Sequence, residues 1–282
     1  MNPTFDEIVF RYYFVWMEPR LNKILASLET LDDHWKKDLS SQRLWRVHSD
    51  AVSIRLLKDW MPDSNVQCIL KSDLFDEALS EGLYPFLYSK GNNVICIDIS
   101  MSILRDARAR YQHLRAVAAD VRCLPIHDRI FDVIISNSTL DHFESQDEIV
   151  FSLRELHRVL RPNGLLLITL DNPFNPMVSI RNSLPFNLLR RMWLVPYYVG
   201  ATFGPSRLRS VLDDIGFEVK EITAVMHCPR FFAITIARIL NNREKYGLKK
   251  RFLSFLMSFE SLSRSPLRLL TGHFLAPRAI KR

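Results

Sequence analysis

A few acids stand where apolar runs end, and those positions are where chemistry would be done. Asp98 closes the run VICIDIS. A carboxylate there can accept hydrogen bonds from both hydroxyls of a ribose, or it can simply cap the helix that follows. Asp120 lies in Ala119-Asp120-Val121-Arg122, just before the run that begins Phe131-Asp132. It can accept a hydrogen bond from a base edge, although acids at such ends are common. The run ending at Ser136 leads into Asn137-Ser138-Thr139-Leu140-Asp141-His142-Phe143. His142 beside Asp141 has the chemistry of a general base. The same pair could equally brace a turn.

The elements that would hold these residues follow from the hydrophobic rhythm. Val66 to Leu70, Asn93 to Ile99, Phe131 to Ser136 and Gly164 to Leu170 are short runs rich in Val, Ile and Leu. Runs of this kind, without strict alternation, suit parallel strands buried on both faces. Helical patterns alternate with them. They cover Phe75 to Lys90, then Ser102 to Val117 with Ser100 as N-cap, then Asp147 to Leu160, which closes at Arg161-Pro162-Asn163-Gly164. Alternating strand and helix predicts an α/β fold with a doubly wound parallel sheet, and ligands bind such sheets at the carboxyl ends of the strands.

Flanking this core are additions. Residues 1–62 read as a helical extension, with apolar residues at three- and four-residue spacing and four of the tryptophans, Trp16, Trp35, Trp45 and Trp60. These aromatics can pack or can roof a cleft. Residues 63–282 form the main domain. Within it, 172–205 is rich in proline and long for a plain connection, which predicts a lid or substrate-facing insertion. Ser206 to Ile215 reads as helix capped by Gly216, and Phe217 to Ile222 as strand. Residues 230–262 read as amphipathic helix.

The net charge is +7 and the pI about 9.3. From Arg238 onward the chain carries eleven Lys or Arg against Glu244 and Glu260, an excess of nine that exceeds the whole surplus. Phe252, Leu253, Phe255, Leu256, Phe259 and Leu262 add an apolar stripe there. Residues 243–265 could therefore touch an anionic membrane peripherally, or pack the stripe on the domain and leave the charges in water. No nucleic-acid-binding motif accompanies the charge, so no such partner is expected. Cys68, Cys96, Cys123 and Cys228 show no metal-ligand spacing, and small thiols in a reducing compartment are expected. No apolar run of about 18 residues suggests a membrane span. The first residues lack the pattern of a secretory signal, so a cytoplasmic protein is expected. Oligomeric state is not legible.

In order, CIDIS, AADVRCLPIHDRIFDVIISNSTLDHF and LRELHRVLRPNGLLLITL resemble the S-adenosylmethionine-dependent methyltransferases of the quinone- and sterol-methylating type. The likeness covers 66–171 and extends to 206–223. It implies the Rossmann-like class I fold, with seven strands in the order 3-2-1-4-5-7-6 and the last, Phe274 to Lys281, antiparallel. Residues 224–272 would then interrupt the final hairpin. It implies S-adenosyl-L-methionine as cofactor, with Asp98 on the ribose, Ile99 against the adenine, Asp120 and Val121 at the adenine edge, and Asn137 near the methionine end.

One place departs from the family. After the first strand the family has an acid and a glycine-rich loop. This chain has Lys71, Ser72 and Asp73, the expected cofactor-side residues of the loop, and no glycine before Gly82. An unpaired lysine would repel the cationic cofactor by about 1–4 kcal/mol at contact range. Asp73, Asp76 or Glu77 could neutralise it. The expected activity is methyl transfer to a small, apolar molecule with His142 as base. The alternative is a non-catalytic, methyltransferase-like binding or assembly protein.

Overall fold

A computed structural model describes residues 43–62, 66–184, 200–241 and 246–282. The elements in chain order begin with α1 (Arg43–Trp60), β1 (Val66–Lys71), α2 (Phe75–Leu79), α3 (Tyr84–Lys90), β2 (Gly91–Asp98), α4 (Met101–Arg110), β3 (Arg115–Ala118) and β4 (Phe131–Ser136). After a short 3-10 turn (Leu140–His142) come α5 (Gln146–Val159), β5 (Leu160–Ile168), β6 (Leu170–Asp171), α6 (Pro176–Ser183), α7 (Pro205–Ile215) and β7 (Phe217–Val225). The chain closes with α8 (Arg230–Asn241), α9 (Tyr246–Ser258), a 3-10 segment (Phe259–Arg264), α10 (Arg268–Thr271) and β8 (Phe274–Lys281).

The sheet runs β3-β2-β1-β4-β5-β8, with β7 on the far side of β8. β1 to β5 are parallel, and β8 is antiparallel to its neighbours. β6 continues the line of β5 past Thr169 and pairs with the start of β8. This is the Rossmann-like order expected from the sequence, with the last strand reversed. The stretch between β7 and β8 does interrupt the final hairpin.

The strands separate two apolar layers with the period of two that a pleated sheet imposes. Ile69, Val133, Ile135, Leu165 and Leu167 face one layer, and Leu70, Ile134, Leu166 and Ile168 face the other. α5 and α7 cover the second layer through Ile149, Leu153, Leu156, Leu208 and Leu212. The first layer takes Leu44, Trp45, Val52, Leu57 and Trp60 of α1, together with Ala233, Ala237 and Leu240 of α8 and Leu256 of α9. The additions at the two ends of the sequence thus meet on one face. Among the described residues, no helix is long and apolar enough to cross a membrane.

Three expected helices need correction. The Phe75–Lys90 helix is two, α2 and α3, broken around Gly82, whose φ of +61° is a left-handed conformation that side chains disfavour. The Ser102–Val117 helix stops at Arg110, and Arg115–Ala118 is edge strand β3. Residues 230–262 are α8 and α9 followed by a 3-10 segment, not one helix. The remainder of the helical extension, residues 1–42, and the middle of the 172–205 insertion lie outside the described residues.

Candidate active site

The carboxyl ends of β2, β1, β4 and β5–β6 lie side by side, so the acids read from the sequence share one edge. Asp98 ends β2. Its Oδ2 accepts from the Leu74 N–H (3.0 Å) and its Oδ1 from the Ser100 N–H (2.8 Å). The carboxylate thus ties the loop after β1 to the start of α4, while Ser100 caps that helix by accepting from Ile103 N–H (3.4 Å). Burial raises the Asp98 carboxyl, against the two backbone donors. Asp73 accepts from the Phe75 N–H (2.9 Å). Its carboxyl is pushed up to about 8 by burial and then by Asp98 and Asp76, against the pull of Lys71. Asp98 thus raises its neighbour across the adjoining strand end, and an added positive charge would favour both carboxylates.

Lys71 does not face this edge. Its ammonium is buried, 2.8 Å from Glu77 Oε2, and it also donates to the Asp73 carbonyl. Burial opposes its charge, but Glu77 and Asp73 more than offset that, and the amine stays protonated. Glu77 is fully buried. Its other oxygen accepts from Leu83 N–H (2.8 Å) and Tyr84 N–H (3.1 Å) at the start of α3. A Cβ on Gly82 would sit 2.6 Å from the Glu77 carboxylate, so the first glycine after β1 serves this ion pair. Asp76 is committed elsewhere, to Arg46 at 2.5 Å.

Ser72 joins the two halves of the edge. Its hydroxyl donates to Ser136 Oγ (2.8 Å) and lies 3.1 Å from Thr139 Oγ1, while its N–H donates to the Ile135 carbonyl (3.0 Å). Ile99 is half-buried beside Asp98, and Asn137 is half-buried just past β4. Val121 is buried. Asp120 is buried too, but Arg122 holds its carboxylate through Nε (3.0 Å) and Nη2 (2.6 Å). The open acceptor expected there is filled by a residue two positions on.

Beyond β4 the edge opens into a small cavity. Ser138, Asp141 and His142 line it after β4, Asp171 from the end of β6, Arg181 from α6, Arg230 from α8 and Phe274 from β8. Ser138 has φ of +48°, a strained value for a residue with a side chain, and its N–H donates to Thr169 Oγ1 (2.9 Å). Asp141 is buried, and its Oδ1 has no hydrogen-bond partner. Burial, and then Asp171, push its carboxyl up to about 6, against His142. His142 is exposed at the rim. Asp171 is paired with Arg181 at 2.6 Å and faces His273 Nε2 at 3.5 Å.

Asp141 and His142 were read from the sequence as a pair, and both line the cavity. Asp171, Arg181 and Arg230 were not read. Asp171 directly follows the expected strand Gly164 to Leu170, which is a usable signal. The arginines come from the two insertions, and their convergence depends on packing that no local pattern encodes.

A family model described as a methyltransferase domain matches residues 79–168. A protein of Mycobacterium tuberculosis, named as a probable S-adenosylmethionine-dependent methyltransferase, is 29% identical over 194 residues, 68% of this chain and 62% of its own length. The chain thus spans less than two thirds of that relative. The ubiquinone/menaquinone biosynthesis C-methyltransferase of Pasteurella multocida is 32% identical over 114 residues, 38% of this chain and 41% of its own. A solved S-adenosylmethionine-dependent methyltransferase of Thermotoga maritima matches the fold with a TM-score of 0.55 at 15% identity, covering 93% of this chain and all of its own. The strand order and reversed last strand are those of the class I methyltransferase fold, and within that fold residues 79–168 match the methyltransferase-domain family model.

Proposed function

We propose that the protein transfers a methyl group from S-adenosylmethionine to a small molecule bound in the cavity beyond β4. The observation that carries this reading is the acidic edge where adjoining β1 and β2 end, with Asp73 in the loop after β1 and Asp98 tying that loop, through the Leu74 N–H, to the start of α4. Beside them, the nearby lysine is already neutralised by Glu77. A cofactor with a positive sulfonium and ammonium fits such a pair, and Asp98 retains lone pairs for a ribose diol. The cofactor supplies the activated methyl group. Ile99, Val121 and Asn137 would border its adenine and methionine ends. Asp120 would act there through its Arg122 partner or its backbone.

The chain's own residues supply position and proton handling. Ser72, Ser136 and Thr139 fix the distance between the cofactor side and the cavity. One oxygen of the Asp141 carboxylate, Oδ1, has no partner, and the group stands beside His142, so the pair suits removal of a proton from the acceptor. Holding the acceptor in line and excluding water would contribute most of the rate. Among the described residues, α6 of the 172–205 insertion borders the cavity through Arg181. The apolar acceptor expected from the sequence sits poorly with a cavity bearing two arginines and two aspartates.

Isothermal titration with S-adenosylmethionine and S-adenosylhomocysteine, beside Asp98→Ala, tests the reading. Binding weakened by about a hundredfold in the variant is the expected result, as for loss of charge-assisted hydrogen bonds. Silence from both ligands in a folded protein would overturn it and return the non-catalytic alternative. His142→Ala should slow single-turnover methyl transfer by about 10²–10⁴-fold, and an unchanged rate would remove its role.

A further inference from the structure

Arg230 is the first residue of α8, which belongs to the insertion between β7 and β8. Its Nη1 lies 2.8 Å from His273 Nε2. The guanidinium also stands over the rings of Phe274 (5.7 Å) and Trp45 (5.9 Å). Among the described residues no carboxylate pairs with it. His273 is nearly buried, and burial first, then Arg230 and Arg181, hold its imidazole neutral. A neutral ring can accept one N–H but cannot cancel the charge. Arg230 is therefore braced on two aromatic faces and one uncharged acceptor, with a full positive charge at the cavity wall. Arg181 is different, because Asp171 already answers its charge at 2.6 Å.

Three segments added to the common fold meet here. α1 brings Trp45, α6 brings Arg181 and α8 brings Arg230, around a cavity whose other wall holds the partnerless Asp141 oxygen. We propose that this cavity takes an acceptor bearing a carboxylate or phosphate, held by the Arg230 guanidinium, with a hydroxyl or N–H directed to Asp141. Naming the ligand an acceptor rests on the methyl-transfer reading. The anion subsite itself does not.

Inorganic phosphate is a sufficient probe for the subsite, because it tests charge without assuming a carbon skeleton. In the full chain, the Arg230 Nε–Hε resonance is followed during a phosphate titration, with exposed Arg207 as internal reference. The expected result is a saturable shift at Arg230 and only a weak linear drift at Arg207. Arg230→Gln should weaken phosphate binding, read by equilibrium dialysis, by about tenfold or more, and Arg230→Lys by less. An Arg230 signal that drifts like Arg207, or phosphate binding untouched in Arg230→Gln, would overturn the proposal. A parallel titration with S-adenosylhomocysteine separates the two ideas. Saturation at Arg230 with no nucleoside binding would leave the anion subsite standing and sink the methyl-transfer reading.

Discussion

The buried carboxylates of this edge have opposite circumstances, and their variants should behave accordingly. Glu77 is matched by Lys71 and two backbone donors. Removing one member of a buried pair strands the other, which costs about 3–5 kcal/mol. Glu77→Gln should lower unfolding free energy in urea by that order. The double variant Lys71→Met/Glu77→Gln should lose clearly less than the sum of the two single losses, as contacting residues do. Strict additivity would show that the pair is not coupled. Asp141, in contrast, has one oxygen without a hydrogen-bond partner, and burial with Asp171 pushes its folded carboxyl up to about 6 from an ordinary 3.8. Between those values the folded protein holds a proton that the unfolded chain has released. The contribution of Asp141 to stability should therefore fall as pH rises from about 4 to 6, by on the order of 3 kcal/mol, and stay flat above. Asp141→Asn removes that slope. The difference in unfolding free energy between wild type and variant, followed across this range, checks the sign. A constant difference would refute the raised carboxyl. Asp98 and Asp141 were legible as strand-end acids because a strand's end is a local feature. Arg230 was not, since a guanidinium gains its role from Trp45, His273 and Phe274, which are distant in sequence.

At the scale of elements, the turn that carries His142 is held from its far side. α5 begins right after it with a capping box. Ser145 Oγ accepts from the Glu148 N–H (3.3 Å), and Glu148 Oε2 accepts from the Ser145 N–H (3.3 Å). Ser145→Ala should cost about 1 kcal/mol, and hence about 2–4 °C in Tm for a domain of this size. Calorimetry would show it, and an unchanged Tm would mean that the box adds nothing. This helix was readable because its signals are chemical and adjacent. β3 was not, because Arg-Ala-Val-Ala, with three good helix formers of its four residues, follows a helix. Only pairing with β2, from Ile95↔Arg115 to Asp98↔Ala118, makes it a strand. The break between α2 and α3 was hidden for a related reason. It exists to deliver the Leu83 and Tyr84 N–H groups to Glu77, a contact that the helical rhythm does not announce.

For the whole molecule, the question is whether the additions ride on the fold or belong to it. The basic C-terminal stripe is informative. Leu256 is buried and Phe252, Leu253, Phe259 and Leu262 are half-buried, leaving Phe255 as its exposed member. Most of the stripe therefore packs inward, and the open apolar face belongs to α8 instead, at Phe231, Phe232, Ile236 and Ile239. α1 shares one continuous apolar layer with α8, α9 and the sheet, through Trp45, Val52, Leu57 and Trp60. Burying one such side chain contributes about 1.5–3 kcal/mol, so these four alone are comparable with a typical domain's entire stability. Layers coupled this strongly should not melt apart. Unfolding followed by tryptophan fluorescence, which includes Trp45 and Trp60, should coincide with unfolding followed by far-ultraviolet circular dichroism, in one transition. Val52→Ala, deep in α1, should move both curves together by an amount corresponding to about 1–3 kcal/mol. A fluorescence transition preceding the loss of sheet would instead make α1 an independent cover. The arginine that α8 carries to the cavity, resting on Trp45, would then be positioned by a part that detaches, and anion binding should vanish at the first transition rather than the second.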